Sequence, residues 1–348
     1  MKKITVLIVD DSALIRQMFK EMLSSESDIE VVDTASDPID AREKIKRYNP
    51  DVLTLDIEMP KMDGLTFLEK IMALRPMPVI MISSLTQRGA DETIRALELG
   101  AFDYLGKPVT NQTRETIGAL KDQLVAKVRA AAIANIQSRS HSRHMLSSGE
   151  VLAFHPPTGK SSHIIAMGSS TGGVEALRNI FVKMPSNCPP IVIAQHMPEA
   201  FTKSFAARLN GLSQVSISEA TNHARLQDGH AYIAPGNMHL KIIKIATDYV
   251  CKLEDSPPVS SHKPSVDVLF HSVADAAGGH AIGVILTGMG KDGAEGLKAM
   301  RDAGAYTIGQ NESSCVVYGM PKVAKKLGAT HIELPLMDIP AAVLKRCV

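Results

Sequence analysis

Two doubly wound α/β domains in series, each on a mainly parallel sheet, are the architecture this sequence predicts. Three observations carry the prediction. Short continuous apolar runs alternate with amphipathic stretches, the alternation breaks once in a Ser-, His- and Arg-rich segment near residue 140, and the reactive polar residues fall just past the ends of apolar runs. A chain of 348 residues accommodates two cores at ~150 residues per domain. With 38 basic and 37 acidic residues the formal net charge is +1, and 45% of residues are hydrophobic, a balance that argues against a dedicated nucleic-acid or membrane-surface binder.

The first run, Ile4 to Val9, is apolar almost throughout, as expected of a strand buried on both faces. Further strands are predicted at Ile29 to Thr34, Asp51 to Leu55, Pro78 to Ser83 and Phe102 to Leu105, with helices between them. Asp10 and Asp11 end the first strand, Asp56 the third, Ser83 and Ser84 the fourth, and Lys107 follows the fifth. In a parallel sheet these positions converge on the crevice beyond the carboxyl ends of the strands. Carboxylates so gathered repel one another and either take up protons or hold a hard divalent cation such as Mg²⁺. Asp56 is placed to act as a nucleophile toward a phosphoryl group, with Lys107 and a Ser hydroxyl neutralising its oxygens.

These residues, together with Asp56-Ile57-Glu58-Met59-Pro60, Asp63-Gly64 and Lys107-Pro108, resemble the receiver domains of two-component response regulators. The resemblance implies a flavodoxin-like five-stranded domain over residues 1–122 that is phosphorylated by a histidine kinase. It implies Asp56 as phosphoacceptor, Asp11, Asp56 and the Glu58 carbonyl as Mg²⁺ ligands, and Ser83 and Lys107 as phosphoryl contacts. Tyr104 stands where that family keeps a reorienting aromatic, and Ser83 replaces its commoner Thr.

A last receiver helix is predicted over Gln112 to Ala134, and the domain boundary is set at residue 122, with a linker over 123–157. Within the linker, Ser138 to His144 alternates Ser, Arg and His, and Pro156-Pro157-Thr158-Gly159 closes it, which reads as a solvated tether.

The second domain, 158–348, is organised around Ile164-Ile165-Ala166-Met167-Gly168-Ser169-Ser170-Thr171-Gly172-Gly173. An apolar run ends in small residues and restarts with helical spacing at Val174, the pattern of strand, tight turn and helix. Ser170 is then either a nucleophile beside a ready oxyanion site or part of a loop that cradles a phosphate. All twelve histidines lie at or beyond residue 141, and His196 directly follows the apolar run 190–194 and Gln195. A third run, 281–287, leads into Gly288-Met289-Gly290-Lys291-Asp292-Gly293. Ser170, His196 and Asp292 thus all reach the carboxyl edge of one sheet, in the order nucleophile, base and orienting carboxylate. Backbone N–H groups at Thr171 and Met289 are candidates for holding an oxyanion. The G-x-S-x-G elbow is absent, since residues 168–172 read Gly-Ser-Ser-Thr-Gly. His239, His262 and His271 are candidate groove residues with packing as the alternative, as are Met197, Met238 and Met289.

The blocks 168–173, Gln195-His196-Met197, Tyr232-Ile233-Ala234-Pro235-Gly236, His262-Lys263-Pro264-Ser265-Val266-Asp267 and 286–293 resemble the CheB family of chemotaxis methylesterases. That resemblance spans residue ~160 to the C-terminus, in order and spacing. It implies Ser170 as nucleophile, His196 as base and Asp292 as its partner, with no cofactor at the esterase site. It also implies hydrolysis of glutamate γ-methyl esters, and deamidation of glutamines, on methyl-accepting chemotaxis receptors. Phosphorylation at Asp56 is expected to activate that reaction, with the unphosphorylated receiver covering the Ser170 groove.

No apolar run is long enough for a signal peptide or a spanning helix, which gives a cytoplasmic protein without membrane insertion or nucleic-acid partner as the expectation. Cys188, Cys251, Cys315 and Cys347 have no C-x-x-C spacing and read as packing residues in a reducing compartment. A DNA-binding output finds no helix-turn-helix pair, and a nucleotide enzyme finds neither a P-loop lysine nor G-x-G-x-x-G after a strand.

Overall fold

The computed structural model of the protein describes residues 2–84, 86–108, 114–134, 151–155 and 163–347. The chain forms two compact units, Met1–Ser140 and His141–Val348. The predicted basic run 138–144 and the Pro156 to Gly159 turn lie outside the described residues.

The first unit is a five-stranded parallel sheet ordered β2-β1-β3-β4-β5. Its strands are β1 (Ile4–Val9), β2 (Ile29–Ala35), β3 (Val52–Asp56), β4 (Val79–Ser83) and β5 (Asp103–Gly106). Val6 to Val9, Leu53, Leu55 and Val79 to Ile82 are buried, as strands covered by helices on both faces require. The helices are α1 (Ala13–Ser24), α2 (Pro38–Tyr48), α3 (Gly64–Leu74), α4 (Gln87–Glu98) and α5 (Arg114–Ile133). Ser12, Asp37, Asp63 and Thr86 cap the first four, each side chain accepting from a first-turn N–H. Helix α5 runs past residue 122, so 123–133 are helical where the sequence reading begins its linker. Leu124, Val125, Val128 and Ala131 bury one side of that extension, a 3.6-residue stripe that continues across the sequence boundary.

The second unit is a seven-stranded sheet, ordered β14-β13-β12-β6-β7-β9-β8 and parallel throughout. At its centre lie β6 (Ile164–Ser169), β7 (Ile191–Gln195) and β12 (Ala281–Ile285). The chain leaves β6 for β7 on one side and returns to pair β12 on the other, which makes the end of β6 a topological switch point. The outer strands are β8 (Ser216–Glu219), β9 (His230–Ile233), β13 (Tyr306–Gln310) and β14 (Ile332–Leu334). An antiparallel hairpin, β10 (His239–Ile245) with β11 (Asp248–Glu254), stands apart from this sheet.

Helix α6 (Gly173–Phe181) follows β6, α7 (Glu199–Asn210) follows β7, and α8 (Val266–Ala277) precedes β12. After them come α9 (Ala294–Asp302), α10 (Met320–Lys326) and α11 (Ile339–Arg346). Val266, Leu269, Phe270 and Val273 of α8 are buried in one cluster with Ile164, Ala166, Ile285 and Leu297. Among the described residues, no helix is long and apolar enough to cross a membrane.

Close approach of α8 to β6 depends on a missing side chain. A Cβ at Gly168 would come 2.1 Å from Val266 Cγ1 and 3.1 Å from Phe270 Cζ. Gly168→Ala should therefore destabilise the second unit by about 1–3 kcal/mol through overpacking, seen as a lower urea midpoint; an unchanged midpoint would mean that α8 can slide without cost.

Candidate active site

Ser170 is the first residue beyond β6. Its N–H donates to the Thr287 carbonyl (3.1 Å), and its own carbonyl accepts from Gly173 N–H (2.8 Å), which closes the turn into α6. Gly172 makes the turn possible with a left-handed φ of 79°. A Cβ at Gly288 would lie 2.8 Å from Ser170 Cβ, so the loop after β12 rests directly against the serine. Thr171 and Met289 sit in these two abutting turns.

His196 follows β7, and its N–H donates to the Ser169 carbonyl (3.1 Å), which ties it to the end of β6. Gln195 strengthens the tie. Its Oε1 accepts from Ser169 Oγ (2.6 Å), and its Nε2 donates to the carbonyls of Ser170 and His196 (3.1 Å each). The imidazole Nε2 lies 2.7 Å from Asp292 Oδ2, while Nδ1 is buried without a hydrogen-bond partner among the described residues. If a side chain is to lose its proton to His196, Nδ1 is therefore the receiving atom.

Asp292 is fully buried. Besides His196, its carboxylate accepts from Ser265 Oγ (2.7 Å), Val266 N–H (2.7 Å) and Asp267 N–H (3.1 Å). Ser265 is the N-cap of α8, so the carboxylate occupies that helix's N-terminus, where exposed N–H groups favour an anion. Burial alone would raise the pKa of Asp292, yet His196, Ser265 and Val266 hold it below the ordinary carboxylate value. Asp267 in turn accepts from Gly296 N–H of α9 (2.7 Å). Burial and the neighbouring Asp292 charge push Asp267 upward, against that N–H. One carboxylate of the pair is thus kept ionised while the other is driven toward protonation.

The other candidates separate by environment. His239 is fully buried, with Nε2 donating to the Pro257 carbonyl (3.1 Å) and Nδ1 accepting from Ser265 N–H (3.2 Å), so it supports the α8 cap. His262 lies flat on His196, ring centroids 3.7 Å apart and planes 9° from parallel. Met197 is buried. Thr287, Gln195, Ser265 and Asp267 escaped the sequence reading as site residues. Ser265 had a signal, a serine just before a helical run, whereas Thr287 acts through its hydroxyl, which donates to Thr171 carbonyl (3.0 Å) and accepts from Val316 and Val317 N–H.

In the first unit the predicted cluster forms at the strand ends. Asp10, Asp11 and Asp56 can bring carboxylate oxygens within 4.8 Å of one another. Lys107 Nζ lies 2.7 Å from Asp56 Oδ2 and 3.7 Å from Asp10 Oδ2. The latter oxygen is buried without a hydrogen bond among the described residues. An orphaned anionic oxygen beside two more carboxylates suits a hard cation, so the residues present fit Mg²⁺. Glu58 N–H donates to Asp56 Oδ1 (3.3 Å), which brings its backbone to the cluster. Ser83 is buried, with its hydroxyl 3.2 Å from the Gly89 carbonyl and 2.7 Å from Thr93 Oγ1. To contact a phosphoryl group it must exchange those partners.

The CheB methylesterase model matches residues 165–343, and the response regulator receiver domain model matches residues 6–117. A protein of Thiobacillus denitrificans named protein-glutamate methylesterase/protein-glutamine glutaminase is 52% identical over 344 residues, covering 99% of this chain and 96% of its own.

The chain belongs to the CheB methylesterase family.

A CheB relative from Salmonella typhimurium, of the same printed name, is 51% identical over 346 residues, covering 99% of this chain and 97% of its own. The crystal structure of the Thermotoga maritima CheB methylesterase catalytic domain aligns with a TM-score of 0.52 at 37% identity, covering 54% of this chain and 99% of that one. The two-domain α/β architecture expected from sequence is therefore that of the CheB family, and the alternative of a DNA-binding output is set aside.

The acidic cluster has a measurable consequence. Burial and the Asp10 charge push Asp56 up to about 7, against the pull of Lys107. Because this folded value exceeds the unfolded one, stability from protonated Asp56 is fully present below about pH 4 and is lost as pH rises through 7. At pH 8, Asp56→Asn should raise the stability of the first unit by roughly 2–3 kcal/mol, with the difference vanishing near pH 4. Added Mg²⁺ should stabilise wild type but not the variant in the same thermal melts. Equal stability at both pH values would show that Asp56 is not strained by its neighbours.

Proposed function

We propose that this protein hydrolyses γ-methyl esters of glutamate side chains on methyl-accepting chemotaxis receptors, releases methanol, and deamidates receptor glutamines by the same route. The observation that carries the proposal is the His196–Asp292 pair, anchored at the end of β7 beside the Ser170 turn, with Nδ1 left without a hydrogen-bond partner among the described residues. Membership of a family whose relatives bear both activities in their names supports the substrate class.

In this reading Ser170 Oγ attacks the side-chain carbonyl carbon while His196 Nδ1 takes the hydroxyl proton. Asp292 holds the Nε2–H edge and balances the imidazolium. Backbone N–H groups of Thr171 and Met289 receive the oxyanion, a contribution of about 3 kcal/mol per donor at comparable sites. Collapse of the intermediate breaks the C–O or C–N bond, and the proton on Nδ1 leaves with methanol or ammonia. Water then attacks the acyl-serine, gives its proton to Nδ1, and frees the glutamate carboxylate as Ser170 Oγ is reprotonated.

The receiver supplies the control. Asp56 takes a phosphoryl group from a histidine kinase, Lys107 pairs with the incoming charge, and Ser83 turns from Gly89 to the phosphoryl oxygens. Asp11, Asp56 and the Glu58 carbonyl would hold Mg²⁺, which would supply neutralisation of the phosphoryl charge. Four free buried cysteines are in keeping with a reducing cytoplasm.

The test is methanol release from methylated receptor membranes, with and without a small-molecule phosphodonor. Ser170→Ala should lose ~10³-fold or more of the wild-type rate, and Asp292→Asn ~10²–10⁴-fold through the wrong imidazole tautomer. Asp56→Asn should keep its basal rate but ignore the phosphodonor. Full activity in Ser170→Ala would remove the serine from the chemistry.

A further inference from the structure

The ring of His196 is held at one edge by Asp292, and one of its faces is covered by His262, 3.7 Å away and 9° from parallel. We propose that His262 is a positioning residue that locks the plane of the base, and that glutamine deamidation depends on this lock more than ester hydrolysis does. The inference rests on the reading of His196 as the proton carrier.

The placement of His262 is built rather than incidental. Val259 N–H donates to the His262 carbonyl (3.1 Å) and His262 N–H to the Val259 carbonyl (2.9 Å), closing a two-residue turn. Both turn residues, Ser260 (φ 51°) and Ser261 (φ 64°), adopt the left-handed region without being glycine, a conformation kept only where surrounding contacts enforce it. The imidazole is then fixed by Nδ1, 2.6 Å from the Ser260 carbonyl, to which it donates. Downstream, Ser265 and Val266 bind Asp292. A single segment, 259–266, thus grips the base ring on its face and, through Asp292, on its edge.

Parallel stacking also defines what the pair is not. Two imidazoles sharing one metal ion must aim ring nitrogens at a common point, whereas stacked parallel rings aim theirs along parallel lines. Asp292 is moreover saturated by three donors besides His196. The geometry is that of a clamp.

The two reactions load this clamp differently. Methoxide departs with help from the proton on Nδ1, but an amide nitrogen must receive that proton before its C–N bond breaks and the pair of electrons leaves with ammonia. Delivery to nitrogen is therefore the step most sensitive to ring angle, and small misplacements of a catalytic group cost up to ~10²-fold. A ring free to tilt still takes the proton from Ser170 but returns it poorly to nitrogen.

The experiment compares wild type, His262→Ala, His262→Phe and Ser170→Ala in the full-length protein. It measures methanol release from methylated receptor and ammonia release from receptor carrying glutamine. Thermal melts establish that each variant is folded. His262→Ala should lower kcat for the ester about 10-fold and for the amide about 100-fold with KM little changed. His262→Phe, which keeps a flat ring, should recover most of both rates. Equal losses in both reactions, unchanged rates in His262→Ala, or a Phe variant as impaired as Ala would overturn the proposal. An active Ser170→Ala would instead overturn the triad on which it rests.

Discussion

A buried carboxylate that stays ionised sets the geometry of the catalytic unit. Asp292 receives Ser265 Oγ, two backbone N–H groups at the start of α8, and His196 Nε2. Removing a carboxylate from water costs several kcal/mol unless donors replace the lost hydration, and here the donors come from two separate stretches of chain, residues 265–267 and His196. The interaction therefore fixes the loop after β12 against α8, and α8 against His196, which follows β7. Had the anion been neutral, neither the helix start nor the imidazole tautomer would be specified.

The same principle explains why the site needs so many small residues. Glycines at 168, 173 and 288 let α8, Gln195 and Ser170 approach to distances at which any Cβ would overlap a neighbour. Gln195 uses that closeness to bind Ser169, Ser170 and His196 at once. Ser170 and His196 thus belong to one hydrogen-bonded unit even though no hydrogen bond joins Ser170 Oγ to His196 Nδ1. Such a bond is often completed only when substrate arrives.

Much of this was legible from residue patterns because parallel strands announce themselves. Ile4 to Val9 and Ile191 to Ala194 are apolar without alternation, and whatever follows such a run in a parallel sheet must reach the ligand edge. That logic located Asp10, Asp56, Lys107, Ser170 and His196. It could not locate Gln195 or Thr287, whose roles are hydrogen bonds to backbone atoms far along the chain and leave no periodic trace. Nor could it give the stacking of His262, which depends on a left-handed Ser260-Ser261 turn that residue preferences disfavour. The boundary at residue 122 fell inside α5 because helical spacing and a domain edge are separate questions, and Leu124 and Val128 answer only the first.

The two units present a pair of buried carboxylates with opposite fates. Asp292 meets donors on every side and is held ionised, so it can balance an imidazolium whenever one forms. Asp56 meets another carboxylate, one lysine and the Glu58 N–H, and is pushed up to about 7. Donor count, not burial, makes the difference. A carboxylate whose charge is under-compensated gains from any change that neutralises it, such as a bound cation or a proton. The carboxylate in the first unit is left short of donors and the one in the second is fully supplied with them, so the same interaction is under-compensated in one domain and compensated in the other.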